Sequence, residues 1–181
     1  MIRYVVPRCV TAWLTNWSSA SKMVYLSFRK EQNVYLITGT PLAVPNWKLH
    51  NIIETSGAVV VCEEMCTGTR YFENLVDESA ETLDEQFMNL SRRYMKTNCA
   101  CFTPNTGRID DILRMVDEYQ VDGVIDCSLM FCCLYDTEKR AVAEALKEKN
   151  IPVLSLETDY TDTDAEQLRT RIGAFVEMLS K

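Results

Sequence analysis

Three short stretches of the chain carry thiols where apolar runs give way to turns: VVVCEEMCTGTR at 59–70, NCACFTPN at 98–105 and LMFCCLYD at 129–136. A thiolate is a soft, anionic donor, and thiolates brought together from separate loops suit zinc or an iron–sulfur cluster. The chain has eight cysteines and one histidine. A single imidazole excludes His-rich zinc sites and leaves little room for Cys-His or Ser-His nucleophilic catalysis. None of the cysteines shows the paired C-x-x-C spacing of a zinc ribbon, which makes zinc the weaker metal. The plain alternative is that several of these thiols are ordinary buried residues, since free cysteine favours the core.

Other residues could serve such a site. Arg70, Arg108, Arg169 and Arg171 could hold a phosphate or carboxylate, although arginines at helix ends usually face solvent. Glu63, Glu64 and Asp159 stand where strands should end and could act as acid–base groups or as helix caps. His50 lies in a helical stretch and reads as a surface or satisfied core residue. The glycines form neither G-x-G-x-x-G nor a P-loop, so no nucleotide-binding motif is present.

These residues need elements to position them. Apolar β-rich runs at 34–38, 58–62, 123–127 and 153–156 predict four strands, and their unbroken apolarity suits strands covered on both faces. Helix-length amphipathic segments fall at 46–56, 79–96, 107–119, 137–149 and 163–179. Leu168, Ile172, Phe175 and Leu179 draw one apolar stripe, and Leu83, Phe87, Leu90 and Tyr94 draw another. Thr163 followed by Glu166 predicts a capping box. Strand–helix alternation gives an α/β fold, a doubly wound parallel sheet of about four strands with flanking helices. In such sheets ligands gather outside the carboxyl ends of the strands, which is where Cys66 and Cys132 must lie. Cys99 and Cys101 precede a helix start and can reach the same edge.

With 181 residues, 47% apolar and 25% charged, the chain is long enough for one domain with a core of its own. A net charge of −7 argues against nucleic-acid and anionic-membrane partners. No apolar run reaches the roughly 18–20 residues that span a bilayer. The N-terminal stretch lacks the form of a signal peptide, so a cytoplasmic location with reduced thiols is expected.

The ordered series TGTPL–PNWKL, GAVVVCEEMCTGTRYF, RRYMKTNCACFTPNTGRID, EYQVDGVIDCSLMFCCLYDTEK and IPVLSLETDYTDTDAEQLRTRIGAFVEML resembles the C-terminal part of the 2-hydroxyacyl-CoA dehydratase D-component family. That family includes benzoyl-CoA reductase subunits and double-cubane cluster proteins. The resemblance covers about 34–181 and leaves 1–33 as a divergent, helical N-terminal segment.

The resemblance implies an oxygen-sensitive protein with a [4Fe-4S] or double-cubane cluster held between paired α/β domains. It implies a radical 2-hydroxyacyl-CoA dehydratase-type lyase or an ATP-coupled low-potential reductase, served by an ATP-dependent activator and acting on an acyl-CoA. By motif, Cys132 in SLMFCxxY is the first cluster ligand, followed by Cys66 in CTGTRYF and Cys99 in NCACF, with Cys101 as an alternative to Cys99. Arg70 and Arg108 are the anion-binding candidates. Family subunits are considerably longer, so a second subunit or a missing N-terminal domain is an expected partner. The competing expectations are a non-catalytic remnant that serves as a folded interaction partner and a zinc-stabilised domain.

Overall fold

The four apolar runs form four strands, β1 (Asn33–Gly39), β2 (Ala58–Glu64), β3 (Gly123–Leu129) and β4 (Val153–Thr158). They come from a computed structural model that describes residues 32–180. The helical segment expected at 1–33 lies outside those residues except for its end, where Asn33 already opens β1. All strand pairs are parallel, in the order β2–β1–β3–β4. From β1 the chain steps to β2 on one side and later to β3 on the other, so the switch point falls between β1 and β3. The crevice outside their carboxyl ends is the place such a sheet offers a ligand.

Among the described residues there are five α-helices: α1 (Lys48–Thr55), α2 (Leu83–Tyr94), α3 (Thr106–Tyr119), α4 (Cys133–Glu148) and α5 (Ala165–Leu179). On one face of the sheet, Leu49, Ile52 and Ile53 of α1 and Leu168, Ile172 and Phe175 of α5 pack on Tyr35, Ile37, Ile125 and Leu156. On the other, Ile112 and Met115 of α3 and Val142 and Leu146 of α4 pack on Leu36, Cys62 and Val124. The central strands β1 and β3 are therefore covered on both faces, whereas the edge strand β4 leaves Glu157 exposed. Cys62 and Cys127 belong to these cores, and burial raises both thiols, Cys127 to about 12.

β2 contains one residue more than its neighbour requires. Tyr35 aligns with Val60 but Leu36 aligns with Cys62, so Val61 is an extra residue, a β-bulge. Beyond the bulge, Cys62 and Glu64 face α3 and α4, and Glu63 turns toward α1, where it meets His50 at 2.5 Å.

Two expectations are corrected. The capping box is absent at Thr163; α5 starts after Asp164, which makes no cap bond and instead accepts from Lys48 and Thr158. A capping box does open α2, between Thr82 and Glu85. The stripe Leu83, Phe87, Leu90 and Tyr94 covers no core, because α2 buries none of its residues and Phe87 stays 59% exposed. Arg93 holds this helix to the preceding loop by donating to the carbonyls of Tyr71, Glu73 and Asn74.

Candidate metal centre

Each cysteine loop is fixed by local chemistry. After β2, the backbone N–H of Gly68 donates to the carbonyl of Met65 at 3.1 Å, closing a turn that contains Cys66. A Cβ at Gly68 would lie 2.0 Å from the carbonyl oxygen of Glu63, so only glycine lets the loop fold back this tightly on the strand. The 98–101 loop docks on the start of α3 through Asn98, which donates to Asp111 at 2.7 Å; a Cβ at Gly107 would meet the Asn98 side chain at 2.5 Å. After β3, Phe131 takes the left-handed conformation (φ 67°) and Cys132 then serves as the N-terminal boundary residue of α4.

These three loops bring four thiols within electrostatic reach of one another. Burial pushes the Cys66 thiol up, the charge of Cys99 pushes it further, and a hydrogen bond from Tyr135 pulls it back. Cys101 is raised by its hydrogen bond with Cys99, then by the charges of Cys99, Cys66 and Cys132. Cys66 and Cys101 are exposed, whereas Cys99 and Cys132 are half-buried. Cys133 is exposed in the first turn of α4, with its Sγ near the carbonyl of Phe131. Among the described residues no three His, Cys, Asp or Glu side chains converge on one point that a single ion could occupy. A mononuclear zinc site would need four donors around one centre. The ligands of an iron–sulfur cluster each bind a different iron, so they stand apart around it. Thiolates are soft donors of the kind such a centre takes.

Beneath the thiols, facing α3 and α4, lies a buried polar network. Glu64 is 3% exposed; it accepts from Thr38 at 2.6 Å and from Arg108 Nε at 3.1 Å, and it pairs with Arg70. Arg108 is 1% exposed, donates to Thr38 at 2.8 Å and to Glu138 at 2.6 Å, and lies over the Tyr135 ring at 4.7 Å. Arg70 donates through Nη1 to the Tyr135 hydroxyl at 3.4 Å. The anion that Arg70 and Arg108 hold in this structure is therefore internal, the carboxylate of Glu64. Arg169 lies beside exposed Glu166, and Arg171 donates to the carbonyl of Ser155. Asp159 lies 3.9 Å from Lys48.

One group escaped the sequence reading. Asp126 of β3 is 1% exposed and neither of its oxygens has a hydrogen-bond partner; the Ser128 hydroxyl two residues on is likewise unpartnered. Burial raises Asp126 to about 6, against the pull of Arg108 and Lys139. A polar residue inside an apolar strand was the available signal. On the opposite face of the sheet, an open cleft of about 650 Å³ is lined by Trp47, Lys48, Tyr160 and Arg169 and includes none of the thiols.

The family described as 2-hydroxyglutaryl-CoA dehydratase, D-component, matches residues 20–179, and the chain belongs to it. Similar proteins include YjiM of Escherichia coli (strain K12), described as a dehydratase subunit, with 40% identity over 145 residues, 80% of this chain and 37% of the relative. The (R)-phenyllactyl-CoA dehydratase beta subunit of Clostridium sporogenes is 26% identical over 132 residues, covering 72% of this chain and 34% of its own length. The alpha subunit of lactoyl-CoA dehydratase from Anaerotignum propionicum is 30% identical over 62% of this chain and 27% of that subunit. The chain thus spans about a third of the length of the curated relatives it matches. No helix among the described residues is long and apolar enough to cross a membrane.

Proposed function

We propose that this chain is the iron–sulfur cluster-binding component of a 2-hydroxyacyl-CoA dehydratase-like reductive enzyme, working with a second subunit or further domain. The observation that carries this reading is that Cys66, Cys99, Cys101 and Cys132, from three separate loops, lie within electrostatic reach of one another. Cys132, Cys66 and Cys99 would hold a [4Fe-4S] cluster or part of a double-cubane cluster, with Cys101 able to replace Cys99. When bound, the cluster supplies single electrons at low potential, which is the chemistry an ATP-dependent activator and an acyl-CoA substrate would require. The chain's own residues hold the thiolates apart, shield one side with the Arg70–Tyr135–Arg108 layer and leave the other side open to a partner. Iron and acid-labile sulfide per chain, measured on protein purified without oxygen, test the proposal. About four irons with matching sulfide are expected, and Cys132→Ser should lose most of both; equal loading in the variant would refute the assignment.

A second reading is a non-catalytic folded partner domain. The exposed apolar stripe of α2 favours it, because that stripe needs a covering surface whether or not metal is present. Tight stoichiometric cluster binding would dismiss it.

A further inference from the structure

We propose that α2 joins two copies of this chain, each lying antiparallel on the other along the stripe Leu83, Phe87, Leu90 and Tyr94. The proposal goes beyond the cluster reading and holds with or without a metal. Leu83, Phe87 and Tyr94 are each more than half exposed, in a helix that buries none of its residues. A contiguous apolar surface of this kind marks a place of contact. The helix is seated on its own chain by a different flank. Gln86 donates to the carbonyl of Ala80 at 3.3 Å, Asn89 to that of Asp77 at 3.1 Å, and Arg93 to those of Tyr71, Glu73 and Asn74. The stripe is thus left free by the way α2 is held.

Spacing and charge both assign the covering surface to a second copy. The stripe residues follow one another at intervals of four, three and four, a pattern that reads the same from either end. Turned about a twofold axis, one copy sets Leu83 against the partner's Tyr94 and Phe87 against the partner's Leu90. Residues 77–85 carry the carboxylates Asp77, Glu78, Glu81, Asp84 and Glu85 and no cation. Residues 92–96 carry Arg92, Arg93 and Lys96 and no carboxylate, and 86–91 are uncharged. That polarity suits the dipole of α2 itself. It also makes the surface complementary to itself when two copies run in opposite directions, whereas a parallel pair would set like charges side by side. At about 100° per residue, Asp84 and Arg92 fall on the same side of the stripe, away from Gln86, Asn89 and Arg93. Across the twofold axis each Asp84 comes level with the partner's Arg92. A different partner chain would require neither the symmetric spacing nor the segregated charge.

The test is sedimentation equilibrium on the full chain, kept reduced so that exposed Cys66, Cys101 and Cys133 form no disulfide between copies. The average mass should rise from that of one chain toward that of two as concentration increases, while the dilute chain keeps its stripe open. Phe87→Lys and Leu90→Lys should each weaken the association by about tenfold or more, with unchanged circular dichroism. Asp84→Arg and Arg92→Asp should each weaken self-association, and mixing the two variants in equal amounts should recover it, because opposite charges then meet on both sides of the axis. Each variant enters the mixture with the same α2 that it has alone, so any effect of the new charge on the helix itself cancels. A parent that stays monomeric at every concentration overturns the proposal and leaves the stripe to a different chain. A dimer untouched by both stripe variants overturns it as well, since the contact then lies elsewhere. Loss of the dimer in the stripe variants with no recovery in the mixture overturns the antiparallel arrangement, and the proposal with it.

Discussion

Arg108→Met is the substitution on which the buried network can be judged most sharply. The guanidinium is almost wholly out of water and contacts Glu64, Thr38 and Glu138 at 3.1, 2.8 and 2.6 Å. Glu138 keeps Asn105 as a donor at 2.9 Å and can turn to solvent, so its loss is small. Glu64 cannot: it is 3% exposed and would keep only Thr38 and Arg70 for a carboxylate now short of one charge-assisted donor. Removing one partner of a buried ion pair costs about 3–5 kcal/mol, a large fraction of the roughly 5–15 kcal/mol that holds a domain together. For a chain of this size that corresponds to a fall of roughly 10 °C in Tm. Urea unfolding with linear extrapolation measures the loss. Arg108→Lys should recover little of it, because an ammonium cannot reach Glu64, Thr38 and Glu138 together. The double variant with Glu64→Gln should be less destabilised than the sum of the two single variants, by about 1–3 kcal/mol. A loss below about 1 kcal/mol for Arg108→Met, or strict additivity in the double variant, would show that the network carries no stability.

Further expectations address other features. Asp126 is neutral more readily in the folded chain than in the unfolded one, rising from 3.8 to about 6, with Glu138 and Asp136 adding to burial and Arg108 and Lys139 opposing it. Between those values the folded state binds the extra proton, so stability falls as pH rises through this window, by up to about 3 kcal/mol. Asp126→Asn should flatten the profile between pH 4 and 6 and be the more stable form at pH 7; an unchanged slope would refute it. Phe131 is 90% exposed in a left-handed conformation, so Phe131→Gly should gain about 0.5–1 kcal/mol in unfolding free energy. A loss there would mean that the side chain is anchored by a surface the chain does not itself supply. Phe87→Lys on α2 should change stability by less than about 0.5 kcal/mol while reducing binding of a hydrophobic dye. Undiminished dye binding would exclude the α2 stripe as the main exposed apolar patch.

The sheet was legible because four apolar runs with no polar alternation leave few other places for buried strands. Their ends were less so. Glu64, Ser128 and Thr158 continue the ladders beyond the apolar letters, since each polar side chain lies buried on a packed face. Residue pattern separates hydrophobic from polar but does not reveal a polar residue's partner, and Arg70 and Arg108 show the result. As letters they suited an external anion; in space Glu64 takes both. The loops that carry the thiols were legible because they follow strands or precede a helix, positions fixed by topology alone. The α2 stripe shows the opposite limit: its spacing equals that of the buried α5 stripe, and only tertiary context tells a face already covered from one awaiting cover.

The extra residue in β2 gives the doublet Glu63–Glu64 its meaning. Two identical letters in succession look interchangeable, yet one meets His50 on the α1 side and the other anchors two arginines on the α3 side. Deleting Val61 would close the bulge and leave Glu63 and Glu64 opposite Ile37 and Thr38, whereas pairing Val61 regularly with Leu36 would slide the doublet by one place relative to β1. That slip would present the wrong glutamate to each face without changing a single charge in the composition. The strand behaves like text read in a frame, in which one silent character must be skipped for every word after it to keep its meaning. Alignments of this segment therefore keep their sense only when a gap falls at Val61, the one position where a residue can be removed without moving the glutamates relative to β1.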